Sequence, residues 1–245
     1  MEDGLFVKEN ALRVLEKQLQ SRARRNQYGV VAVGSATDAY LHHEKEWRIT
    51  EGMLQLLLKY RFPVFISTKT TLITRDIDLL KEINKAAILP ADLQDKLQGG
   101  VILAASISSL DENITNMLEP GCAKPIERLQ LIQHLRAEGL FAGINAIPLL
   151  PYISDDGGQL ESIIVAAKAH DASFILTGGL TLFGNGVADS KTLYYKFLQR
   201  YNPSLIPAYN ELYSNNFYTP WQYQNALQKR ATALCSKYNI KNSIL

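Results

Sequence analysis

Cysteine is nearly missing from this sequence: its 245 residues include two, Cys122 and Cys235. Such sparing use builds no disulfide framework and fits a reducing compartment, so the cytoplasm is the expected location. Long apolar runs are lacking as well. No stretch approaches the roughly 18 residues that a membrane helix needs, and the opening MEDGLFVKEN has no signal-peptide core. There is no excess of charge of either sign. A formal charge of +2 gives no electrostatic case for nucleic acid, though it leaves room for a local basic patch. SRARR, residues 21–25, is the one dense basic cluster, and it reads either as a solvated helix end or as a nucleic-acid contact. Histidine is scarce: His42, His43, His134 and His170 form no Ser-His-Asp arrangement. HHEKE, 42–46, reads as a solvated loop, because adjacent histidines point in different directions, and no metal ligand is assigned.

What the sequence does have is strand-like apolar runs. YGVVAVG (28–34), PVFIST (63–68), GGVILAASIS (99–108), FAGINAIPLL (141–150) and SFILTGGL (173–180) are mostly continuous and rich in β-branched and aromatic residues. Strands of a parallel sheet covered on both faces read this way. Helical patterns lie between them. NALRVLEKQLQSRARR carries Leu12, Leu15 and Leu19 at helical spacing. Residues 50–61 and 74–87 each open on a threonine, Thr50 and Thr74, expected as N-caps. Residues 125–139 have Pro125 just inside the start and Gly139 just past the end, and 155–171 fill the next gap. The order is one helix followed by repeated β-α units. That predicts an α/β fold, a parallel sheet with helices outside, barrel-like or doubly wound. After residue 185 the chain turns helical and tyrosine-rich. This divides it into a β/α part, 1–185, and a C-terminal helical extension, 186–245, packed on it.

Each predicted strand ends in polar or special residues: Ser35, Thr37 and Asp38; Ser67, Thr68 and Lys69; Ser106, Ser108 and Ser109; Asn145 and Pro148; Gly178, Gly179 and Thr181. Parallel α/β enzymes put their sites at these carboxyl ends, so these residues are expected to line a shared crevice. Asp38 suits an ammonium group, while the hydroxyls and Lys69 suit hydroxyl or carboxylate groups. Lys69 also offers a Schiff base if desolvation lowers its pKa; otherwise it is a charged lysine facing an anion or water.

Several longer stretches point further. VAVGSATDAYLHHEKEWRITEGMLQLLLKYRFPVFISTKTTLITRDIDLLKEI, ASISSLDENITNMLEP, IERLQLIQHLRAEGLFAGINAIPLLPYISD and GGLTLFGNGVADSKTLYYKFLQRYNPSLIPAYNELY resemble the spore-photoproduct-lyase-like branch of the radical SAM superfamily. The resemblance runs over nearly the whole chain. Its most specific pieces are G-S-x-T-D followed by E-K, T-K-T-x-L-I-x-R-D-I-D-L-L, and S-I-S-S-L-D-E followed by L-E-P. It implies a partial, TIM-like (β/α) barrel with a helical cap. It also implies reductive cleavage of S-adenosylmethionine at a [4Fe–4S] cluster, with hydrogen abstraction from a substrate such as a DNA lesion. By this resemblance Ser35, Thr37 and Asp38 hold the methionine ammonium. Lys69 and Ser106 or Ser108 face the ribose and carboxylate, and Asn145, Pro148 and the Gly179–Leu180 backbone flank the adenine.

The departures matter equally. The family's cluster is held by C-x3-C-x2-C upstream of VKEN, and Cys122 and Cys235 are too few and elsewhere. After L-E-P, where relatives often carry arginine, this chain has Gly121-Cys122, whereas Arg128 matches the arginine of the following helix. The expectation is a truncated chain lacking the first barrel strand, inactive alone and prone to self-association along the open edge. The alternatives are a cluster-free barrel that binds a nucleotide or S-adenosylmethionine, and an aldolase-like enzyme using Lys69. No catalytic residue is assigned.

Overall fold

A computed structural model describes residues 8–35, 37–214 and 216–245. Most of MEDGLFVKEN, and Ala36 within G-S-x-T-D, lie outside them. The strands are β1 (Val31–Val33), β2 (Val64–Thr68), β3 (Val101–Ser106), β4 (Phe141–Leu149) and β5 (Ile175–Gly179). The helices are α1 (Ala11–Arg24), α2 (Glu44–Trp47), α3 (Ile49–Tyr60), α4 (Ile77–Ala86), α5 (Glu112–Leu118), α6 (Pro125–Ala137), α7 (Gly157–Ala169), α8 (Ser190–Tyr201), α9 (Ile206–Leu212) and α10 (Trp221–Lys237). The five strands form one open parallel sheet in sequence order. Every predicted strand is present, trimmed at its ends. Val31 pairs with Val64, which pairs with Val101, and Asn145 pairs with Leu176.

Contacts divide the described chain into two units. One comprises Leu131–Ala142 and the residues up to Ala105; the other comprises Ser106–Gln130 and Gly143–Ile244. In the first, α1 and α3 lie so close that a side chain on Gly52 would meet Leu12 at 2.8 Å. Leu54 and Leu57 of α3, Leu80 and Ile83 of α4, and Val64, Ile66, Val101 and Leu103 of the sheet are fully buried. In the second, Tyr194, Phe197 and Leu198 of α8 and Tyr209 of α9 pack with Tyr213, Leu150, Leu180 and Leu182 as one apolar cluster. On the outer side of β5, Ile175 donates its amide to Lys241 at 2.9 Å.

The expectation of strands buried on both faces holds for β3, all six of whose residues are buried. It fails for β2, where Val64, Ile66 and Thr68 are buried but Phe65 and Ser67 are half-buried. It fails for β1, where Ala32 is exposed, and for β5, which is half-buried from Leu176 onward. In β2 one face is packed and the other keeps access to solvent. Two cap assignments also change. Thr50 lies inside α3, whose first amides are capped by Glu44, and Thr50 donates its hydroxyl to the Ala39 carbonyl instead. Thr74 sits in a 3-10 turn, Thr71–Asp76, that is capped by Thr70 and runs into α4. HHEKE is solvated at His42, His43, Lys45 and Glu46, but Glu44 opens α2 and is only 6% exposed, so the segment is not wholly a solvated loop.

Close packing fixes Gly143. A Cβ there would lie 2.3 Å from the Phe174 carbonyl oxygen, so Gly143→Ala forces β4 away from β5. It is expected to cost about 1–3 kcal/mol, read as a lower urea midpoint. Gly29→Ala, where nothing lies within 4 Å, should stay within about 0.5 kcal/mol of wild type.

Candidate functional site

Beyond β1 the chain turns at Gly34, which takes a left-handed φ of 83°. A side chain there would meet the Ala39 amide at 2.9 Å, so the tight turn depends on glycine. The turn delivers Asp38 to the end of β2. Asp38 Oδ1 accepts from the Tyr40 amide at 2.9 Å and the Thr68 hydroxyl at 2.7 Å, and Oδ2 accepts from the Lys69 amide at 2.7 Å. Of the expected ammonium-binding residues, Asp38 is half-buried in this knot, while Ser35 and Thr37 are exposed on the same turn. Lys69 is half-buried. A carboxylate accepts about four hydrogen bonds, so Asp38 keeps one acceptor position on Oδ2.

Tyr40 joins this knot to a buried ionic network. Its ring is 1% exposed, and its hydroxyl donates to Asp76 Oδ2 at 3.0 Å. Burial, reinforced by Asp76, pushes the Tyr40 phenol well above its usual range. Arg75 donates to Asp76 Oδ1 and Oδ2 at 2.8 Å each, to Glu44 Oε1 at 3.1 Å and to the Glu44 carbonyl at 2.8 Å. The Glu44 carboxylate in turn accepts from the Ile49 and Thr50 amides at 3.0 Å, capping α3. The Asp76 hydrogen bonds, ahead of the Glu44 bond, raise the Arg75 guanidinium above its ordinary pKa despite its burial. Sequence reasoning missed this role. Part of its signal was present: R-D-I-D places charges beside the apolar run of α4.

In the other unit, Ser106 and Ser108 are buried at the end of β3. The Ile107 amide between them donates to the Asn145 carbonyl at 3.0 Å, so the structure brings these three expected residues together. Arg128, 1% exposed, fixes the same corner. It donates to the Ser106 and Ala123 carbonyls at 2.7 Å each and pairs with Glu119 at 2.7 Å. The Ile147–Pro148 peptide is cis. A side chain on Gly178 would press on Ile147 at 3.2 Å, and one on Gly179 would strike Gln224 at 2.6 Å and Thr219 at 3.0 Å. Side chains of Ile147, Gln224 and Thr219 thus crowd the glycine backbone where β5 ends. The Leu180 carbonyl accepts from the Tyr213 hydroxyl at 2.8 Å.

Past β4, Asp155 is 4% exposed. It accepts from the Tyr223 hydroxyl and, at 2.8 Å, from the Tyr152 amide, while Arg230 donates to its carbonyl at 2.5 Å. Burial outweighs these donors and raises the carboxyl above its ordinary value.

The described residues do not fit an iron–sulfur cluster. Cys122 is exposed, and Cys235 is buried within α10, where burial pushes its thiol up to about 11. Among the described residues no group of three His, Cys, Asp or Glu side chains converges as metal ligands. No described helix is long and apolar enough to cross a membrane.

No protein-family model matches the sequence. The chain is 30% identical over 236 residues to uncharacterized proteins of Mycobacterium tuberculosis (Rv2578c) and Mycobacterium bovis (Mb2609c), covering 96% of this chain and 64% of theirs. It thus spans less than two thirds of these curated relatives. An uncharacterized protein of Acidianus two-tailed virus, ORF301, is 27% identical over 122 residues, or 50% of this chain and 35% of its own. Among solved structures, spore photoproduct lyase with bound AdoMet and dinucleoside spore photoproduct aligns with a TM-score of 0.61 at 13% identity, over 93% of this chain and 64% of that one. SuiB of Streptococcus suis bound to S-adenosylmethionine aligns with a TM-score of 0.51 at 10% identity, over 85% and 43%. The fold is therefore the α/β fold that these solved structures share.

Two tests follow from the buried charges. Arg75→Met leaves Glu44 and Asp76 uncompensated and should cost about 3 kcal/mol or more in urea unfolding, with Arg75→Lys intermediate. Because the folded pKa of Asp155 is raised, its contribution to stability is full below the ordinary carboxylate range and declines as pH rises through the raised value. The Tm of wild type relative to Asp155→Asn should therefore fall as pH is raised across that interval. An unchanged difference would mean the carboxyl is not held neutral.

Proposed function

We propose that this chain is the S-adenosylmethionine-binding part of a radical SAM enzyme of the spore-photoproduct-lyase-like kind. The observation that carries the reading is the Asp38 knot. A carboxylate at a strand end is held rigid by three donors of its own chain and retains one acceptor position. An α-ammonium is the donor chemistry that such a position takes. In this reading Asp38 binds the ammonium, with Ser35 and Thr37 on the same turn, and Lys69 binds the carboxylate. Ser106 and Ser108 take the ribose hydroxyls, and Asn145, Pro148 and the Gly179–Leu180 backbone flank the adenine. Bound S-adenosylmethionine supplies a 5′-deoxyadenosyl group for reductive cleavage. The residues of this chain bind and orient it, and cluster ligation is assigned outside the described residues. The Schiff-base reading is weaker, because Lys69 is only half-buried and its amide rests on a carboxylate.

Calorimetry with S-adenosylhomocysteine tests this without any cluster. Binding is expected, and Asp38→Asn should weaken it at least tenfold while leaving 5′-methylthioadenosine, which lacks the amino-acid part, unaffected. Absence of binding by the wild-type chain would sink the reading.

A second reading, a binding module that works without a cluster, is favoured by the scattered cysteines. Anaerobic reconstitution with iron and sulfide is expected to give this chain no cluster and no 5′-deoxyadenosine. Cluster formation on these 245 residues would overturn that expectation.

A further inference from the structure

The tyrosine-rich helices after β5 do more than fill space. Tyr209 and Tyr213 lie one helical turn apart on and just past α9, their rings stacked with centroids 5.9 Å apart. Each hydroxyl is spent on a main-chain carbonyl at a strand end. Tyr209 donates to Pro151 at 2.7 Å, just past β4, and Tyr213 donates to Leu180 at 2.8 Å, just past β5. Tyr213 is 2% exposed, so neither its hydroxyl nor the carbonyl it holds can turn to water without leaving a buried polar group unpaired.

The backbone that Tyr213 grips most needs a grip. Gly178 and Gly179 precede Leu180 and have no Cβ to restrict them, and the side chains of Ile147 and Gln224 crowd the places where one would stand. A glycine pair has the widest conformational freedom of any dipeptide, so the direction of the peptides after it must be imposed from outside. Downstream, the Leu182 amide donates to the Phe217 carbonyl at 2.7 Å. At Leu180 itself it is the Tyr213 hydroxyl that fixes the carbonyl.

We propose that Tyr213 is a positioning residue for the nucleoside part of the ligand: by holding the Leu180 carbonyl it sets the Gly179–Leu180 peptide in the orientation that meets the adenine. This rests on the cofactor reading above. Tyr194 supplies the control. It is buried in the same cluster and bonds the Tyr209 hydroxyl at 2.9 Å, yet it makes no bond to a strand-end carbonyl.

The experiment is calorimetry of 5′-methylthioadenosine and S-adenosylhomocysteine on wild type, Tyr213→Phe and Tyr194→Phe, with thermal unfolding of all three. Both variants lose a buried phenol and should lose similar Tm. Tyr213→Phe should weaken both ligands at least fivefold and by the same factor, because the defect lies on the nucleoside they share. Tyr194→Phe should stay within twofold of wild type. Equal affinity of Tyr213→Phe and wild type, or an equal loss in Tyr194→Phe, overturns the proposal while leaving the cofactor reading intact. Wild type that binds neither ligand overturns both. Should Tyr213→Phe not fold, hydrogen exchange on wild type decides: residues 178–182 must gain protection on adding 5′-methylthioadenosine, and no gain refutes the assignment.

Discussion

A half-buried guanidinium set between two carboxylates is the contact on which the first unit depends. Arg75 binds the α2 end of the post-β1 segment, through Glu44, to the turn before α4, through Asp76. Burying three charges is costly unless all are bonded, and here each of them is: Glu44 by the amides of α3, Asp76 by Tyr40, and Arg75 by both carboxylates. Tyr40 extends the same network to Asp38 through its amide. A candidate ligand group on a surface turn thereby inherits the rigidity of the interior, which is the condition for a carboxylate to recognise rather than merely attract a cation.

The second unit anchors its strand ends on main-chain carbonyls, beside the Arg128–Glu119 ion pair. Arg128 holds the end of β3 by its carbonyls, and tyrosine hydroxyls hold the chain just past β4 and β5. Strand ends that carry glycine and serine have little rigidity of their own. Their order is borrowed from the helices packed behind them. The electrostatics differ accordingly. Burial of Asp155 makes its neighbourhood lose stability as pH rises, whereas hydrogen bonds to Asp76 and Glu44 hold the Arg75 guanidinium charged.

The alternation of strands and helices was legible because period and composition are local properties. The five apolar runs each contain their strand, and Gly139 stands just past the end of α6 as expected. Thr50 and Thr74 failed as caps because residues slightly upstream took the role: Glu44 caps α3, and Thr70 caps the 3-10 turn that contains Thr74. Asp38 was legible as a candidate from its place at a strand end, but its partners, Thr68 and the Lys69 amide, lie about thirty positions away. Glu44, Arg75 and Asp76 stood in the recognisable motifs as isolated charges, and only folding shows that they are one object. The tyrosine contacts were beyond reading, since their acceptors are main-chain oxygens that no side chain announces.

That last feature bears on how the molecule can diverge. A hydroxyl that grips a carbonyl reads the course of the chain and is indifferent to the side chain hanging from it. Position 180 can thus drift among residues of similar bulk without loosening the grip, while its tyrosine partner cannot change. The tie leaves no trace of paired substitution, so a search for co-varying positions would pass over it.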